Sequence, residues 1–187
     1  TIPEDPLFNE QWYFAKVNAP AMWDSTTSDS SQVLGIIDTG VDWDHPDLAN
    51  NIWINEVELN GADGVDDDNN GYVDDIRGWD WVSMDNNPDD DNSHGTHVAG
   101  IAAGVSNNGV GISGMAWNAR IMPLKVLQST GYGTSSDIAA AVEYAHENGA
   151  TVINLSLGGF GYSETLKQAL EVAYSTSIEV AAAGNNG

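Results

Sequence analysis

Four short apolar runs, spaced by stretches of helical periodicity, constrain this chain more than any other feature. Residues 33–37 (VLGII), 120–127 (RIMPLKVL), 151–157 (TVINLSL) and 178–183 (IEVAAA) each read as a buried strand. Pro123 is expected to break the second of them. Helical patterns begin near His94, at residues 137–146 (DIAAAVEYAH), closed by Asn148-Gly149, and at residues 163–174, opened by Ser163. Strands separated by helices of this length imply βαβ crossovers and a parallel sheet, so the expected class is α/β. Strands that are almost continuously apolar imply burial on both faces. In such sheets the ligand site lies beyond the carboxyl ends of the strands. A length of 187 residues, 41% apolar with seven Trp, suits one domain with an ordinary core.

Charge excludes several functions. Five Lys or Arg stand against 28 Asp or Glu, a formal net charge of −23. A phosphate backbone or an anionic membrane surface would be repelled, so neither nucleic acid nor membrane is an expected partner. There are no cysteines, hence no disulfide scaffold, cysteine nucleophile or thiolate metal site. No basic-then-apolar segment opens the chain, and any such leader is expected to have been removed already.

The acid is local. Fifteen of the 19 Asp fall between Asp38 and Asp91, a stretch whose one Lys or Arg is Arg77. Asp, Asn and Gly are poor helix and strand formers, so this is loop, and a loop this long inside a compact domain needs an organiser. A solvated acidic face is the simplest explanation of such a stretch. The spacing Asp66-x-Asp68-x-Asn70-Gly71-Tyr72-x-Asp74-Asp75 argues instead for a hard cation. Alternate oxygen side chains followed by Gly match the first half of a calcium loop. The expected ligands are Asp66, Asp68, Asn70, the Tyr72 carbonyl, and Asp74 or Asp75. The second half departs from an EF-hand, since position twelve is Arg77 and no flanking helices are expected.

Three polar residues fall at or near strand ends: Asp38 in Asp38-Thr39-Gly40, His94 in His94-Gly95-Thr96-His97-Val98-Ala99-Gly100, and Asn185 in Ala183-Gly184-Asn185. Singly, each has an ordinary explanation as a cap, a surface imidazole or a left-handed turn. Together they fit acyl transfer: a His as general base, a carboxylate to fix its tautomer, an amide to hold an oxyanion.

With Ser156-Leu157-Gly158-Gly159 added, these motifs resemble the subtilisin-like serine peptidases, in the family's order of Asp before His. The resemblance runs over essentially the whole chain, residues 1–187, and implies a parallel-sheet subtilisin-like fold with helices on both faces, incomplete at the C-terminus. Residues 56–92 would be a calcium-loop insertion. By that resemblance Asp38 orients His94, His94 is the base, and Asn185 donates to the oxyanion. Ser156, Leu157 and Gly158 would form one substrate-pairing edge and Gly131, Tyr132 and Gly133 the other, with the peptide extended between them. Pro3-Glu4-Asp5-Pro6 resembles the thermitase branch. One calcium site would then use Asp5, Asp47 and Asn108 with the carbonyls of Val105, Val110 and Ile112, and another Asp80, Asp85, Asn87 and Asp89. Two to three Ca²⁺ are expected, with protein or peptide substrates and a secreted setting.

The family's nucleophile motif, Gly-Thr-Ser-Met-Ala, is missing. Gly133-Thr134-Ser135-Ser136 lacks Met-Ala and reads as a helix cap, and Ser113-Gly114-Met115-Ala116 has the wrong order. The expectation is a partial catalytic domain whose serine lies in the C-terminal remainder, with negligible activity of this chain alone. Three rival readings fare worse. An aspartic peptidase needs a second Asp-Thr-Gly, which is absent. A calcium-binding adhesion module leaves HGTHVAG unexplained. A zinc site on His94 and His97 has no further ligands.

Overall fold

The computed structural model describes residues 1–159 and 161–185. Five parallel strands form one sheet in the order β2-β3-β1-β4-β5: β1 Val33–Asp38, β2 Trp79–Asp80, β3 Arg120–Lys125, β4 Val152–Leu155 and β5 Ile178–Ala181. Six α-helices accompany them: α1 Trp12–Lys16, α2 Ala19–Met22, α3 Glu56–Leu59, α4 His94–Ala103, α5 Ser135–Glu147 and α6 Glu164–Ala173. The longer helices have the expected local causes. Thr134 caps α5 by accepting from the Asp137 N–H, and Ser163 caps α6 by accepting from the Leu166 N–H.

Alternation along β1 divides the core. Ile36 faces α4, in a cluster with Ala99, Ala103 and Ile121. Ile37 faces the opposite way, toward Met122, Leu124 and the α5 residues Ile138, Val142 and Ala145. Helices thus cover both faces of the sheet, as the crossover pattern requires. At Gly35 there is no room for more: an added Cβ would press against Ala145 and Leu124 at 3.3 Å each, so glycine sets how closely α5 lies on the sheet.

Four sequence expectations need correction. Pro123 does not break β3, because pairing with β2 begins only at Leu124 and the missing N–H falls where that ladder has not started. β5 is not buried on both faces: Ile178 is 66% and Val180 47% exposed, since the strand stands at the sheet edge. Asp38 is the last residue of β1 rather than the first beyond it. A short helix, α3, does precede the acidic loop. Asn186 and Gly187, which follow the expected fourth strand, lie outside the described residues.

Candidate active site

β1 delivers Asp38 to the carboxyl edge of the sheet and α4 opens with His94, so two residues 56 apart in sequence meet there. His94 Nδ1 lies 2.7 Å from Asp38 Oδ1, and the same oxygen accepts the Thr39 N–H at 2.7 Å. Asp38 is fully buried and the His94 side chain 49% exposed, so the acid is shielded while the ring faces the solvent side. That is the arrangement a carboxylate needs to fix the tautomer and stabilise an imidazolium. Asp38 Oδ2, also buried, has no hydrogen-bond partner among the described residues.

Glycine makes this approach possible. A Cβ on Gly95 would come within 2.0 Å of the Gly40 carbonyl oxygen and 3.1 Å of Asp38 Cβ. Thr39 ties the two halves together: its hydroxyl oxygen accepts the Gly95 N–H and its hydroxyl donates to Asp90. Asp90 also accepts from the Asn92, Ser93 and Thr96 N–H groups and from the Thr96 hydroxyl. Burial alone would push the Asp90 carboxyl up, but hydrogen bonds from Thr96, Asn92 and Thr39 outweigh it and hold it below its ordinary value. Ser93, at φ +83°, turns the chain into α4.

Beside His94 opens a cavity of about 740 Å³. Gly131, Tyr132 and Gly133 line one side, Ser156, Leu157 and Gly158 the other, so both expected substrate edges come together with the imidazole. Sequence reading missed Asn92, Leu127, Ile138 and Leu155, which also line it. The apolar ones looked like ordinary core residues, and only packing distinguishes a core wall from a cleft wall. Asn185 is exposed and is not among the lining residues. Ser135 is the first residue of α5, in keeping with its reading as part of a cap. His94 Nδ1 is engaged by Asp38, and among the described residues the His97 ring has no hydrogen-bond partner.

Asp5 and Asp47 are buried, at 4% and 3% exposure. Asp5 accepts the Asn107 and Asn108 N–H groups, while Asp47 accepts the Ile112 N–H and the Asn108 amide at 2.8 Å. Val105 N–H donates to the Asp47 carbonyl, and Val110 N–H to Asn108 Oδ1. Buried carboxylates without a basic side-chain partner fit a hard cation.

In the acidic loop the carboxylate oxygens of Asp66 and Asp68 converge with that of Glu58, all within 4.8 Å of one another. Glu58 was not foreseen. It sits on α3, 4% exposed, accepting the N–H groups of Asp67, Asp68 and Asp74. Asn70 Nδ2 donates to Asp68 and Asp75. Fully buried Asp75 accepts from Asn55 and from the Tyr144 hydroxyl at 2.5 Å, and burial pushes its carboxyl up. Tyr72 packs its ring against Trp79, Trp81 and Tyr144. This donor set fits a cation as well.

In the set of Asp80, Asp85, Asn87 and Asp89 each side chain accepts a hydrogen bond. Asp80 caps a turn by accepting the Val82 and Ser83 N–H groups, Asp85 accepts the Asn87 N–H, Asn87 Oδ1 accepts from Trp43, and Asp89 accepts the Asp90 N–H.

Comparison with known proteins decides the lineage. The model of the subtilase family matches residues 29–187. The chain belongs to the subtilase family. It is 46% identical to a thermophilic serine proteinase of Bacillus sp. (strain AK1), over 88% of this chain and 36% of that protein. It is 40% identical to thermitase of Thermoactinomyces vulgaris, over 99% of this chain and 58% of that protein. A solved protease of Pseudoalteromonas arctica superposes over all of this chain and 60% of its own, with a TM-score of 0.78 and 34% identity. The subtilase chain described here therefore spans between about a third and three-fifths of the length of these relatives.

Proposed function

We propose that this subtilase chain supplies the acid, the base and both substrate-binding walls of a serine endopeptidase. The observation that carries this reading is the 2.7 Å contact of His94 with buried Asp38 at the head of a cleft lined by residues 131–133 and 156–158. Asp38 holds Nδ1 protonated, which leaves Nε2 free to take a proton from a serine hydroxyl and return it to the leaving amine. The peptide lies extended between the two edges and pairs with their backbone. Asn185 is assigned the oxyanion on sequence grounds.

The family's nucleophile motif is not in this sequence, so this chain alone should have negligible activity. Calcium, held by Asp5, Asp47 and Asn108 and by Glu58, Asp66 and Asp68, would neutralise buried carboxylates and tie down the loops flanking the sheet. That demand supports an extracellular setting.

An active-site-directed phosphonate tests the assignment. It should leave this chain unlabelled and label the form that carries the serine. In that form His94→Ala should lower kcat by roughly 10⁶-fold, the loss seen when the corresponding group is removed from subtilisin, a member of the same family. Labelling of this chain, or full activity of His94→Ala, would overturn the reading; a calcium-binding module without catalysis would lose nothing.

A further inference from the structure

We propose that Lys125 is a positioning residue for the Asp38–His94 pair, an inference that rests on the peptidase reading above. Lys125 ends β3 directly opposite Asp38 in the strand register and is 3% exposed. It is one of only five basic residues in a chain of net charge −23. A buried ammonium must satisfy all three N–H groups. This one has three acceptors: the Thr39 carbonyl at 2.5 Å, Asp91 Oδ1 at 2.7 Å and the Leu127 carbonyl at 3.3 Å.

Those acceptors belong to three parts of the site. Thr39 follows Asp38 and receives the Gly95 N–H on its hydroxyl oxygen. Asp91 stands three residues before His94. Leu127 lines the cleft. The strand needs no such help, because β3 is already paired with β1 on one side and β2 on the other. The turn after β1 and the approach to α4 have no strand pairing of their own. An apolar side chain of similar volume would fill this interior position but offer none of the three N–H groups. What it would not do is bind the loop of the acid to the loop of the base. The titratable groups on the elements that Lys125 joins are Asp38, Asp90, Asp91 and His94, and Lys125 supplies a positive charge to Asp91 directly.

The test is the low-field proton resonance of the His94 Nδ1–H donated to Asp38, read by NMR on the full chain and assigned by its loss in His94→Ala. The parent should show it sharp. In Lys125→Met it should broaden beyond detection well below the melting transition, with circular dichroism unchanged. A role in stability alone would lower the melting temperature and leave the resonance in place. Should Lys125→Met fail to fold, Asp91→Ala removes one anchor from the solvent side and should cost the resonance at least half its intensity. An undiminished resonance in the folded variant, or none in the parent, overturns the proposal. The peptidase reading fails separately, by the phosphonate and His94→Ala results, and the resonance depends on neither.

Discussion

His94 and Asp38 owe their contact to small neighbours and to Asp90. Asp90 is a depressed carboxyl, so its contribution to stability is present above its unfolded-state value and is lost as pH falls through the folded-state one. The comparison of wild type with Asp90→Asn should therefore show a lower melting temperature for the variant at neutral pH. The gap should close below about pH 4, where the unfolded carboxyl becomes protonated. A gap of constant size across that range would contradict the hydrogen-bonded carboxylate seen at the start of α4. At this scale the sequence was a good guide to identity. His94, residues 131–133 and residues 156–158 all line the cleft, and Asp38 lies buried against His94. It was a poor guide to Asp90 and Lys125, because nothing in a local pattern separates an aspartate that gathers five hydrogen bonds from one of the many that face water.

Among the elements, the seating of α4 against the turn after β1 decides whether the pair forms. Gly95→Ala places a methyl carbon against the Gly40 carbonyl and must push the helix outward. The expected cost is about 1–3 kcal/mol of stability. Thermal unfolding would measure it, and a variant as stable as the parent would show that α4 is less tightly seated than the structure places it. The longer helices and the buried strands were legible from periodicity and caps. β2 was not, being two residues long, nor was α3, whose four residues carry too little periodicity. The exposure of β5 was also hidden, because an edge strand of Ile, Val and Ala has the same composition as a central one.

Viewed as a whole, the molecule carries its negative charge in organised loops rather than as a uniform coat. Asp5, Asp47, Glu58, Asp75 and Asp80 are all buried, and among the described residues no lysine or arginine side chain bridges them. Chelation of Ca²⁺ should lower the melting temperature markedly, in accord with the mass-action stabilisation of a ligand that binds only the folded state. A differential scanning run with and without EDTA measures this, and coincident curves would count against structural calcium. Asp47→Asn should shrink the shift, since it weakens one ligand set and leaves the Glu58 set intact. Among the described residues no helix is long and apolar enough to cross a membrane.

Residue identity and spacing alone gave the alternation of strands and helices, the Asp38 and His94 motifs and the oxygen-rich loops, because each is written in a local period or a short motif, whereas the substrate edges were expected only from the family resemblance. The fold decided the rest. It set the order β2-β3-β1-β4-β5, brought Asp38 and His94 to 2.7 Å and drew Glu58 into the acidic loop. It also buried one lysine between two loops that belong to different strands. These are contacts between residues far apart in the chain, and their geometry follows from which faces pack together, a choice made by the whole core and not by any one segment.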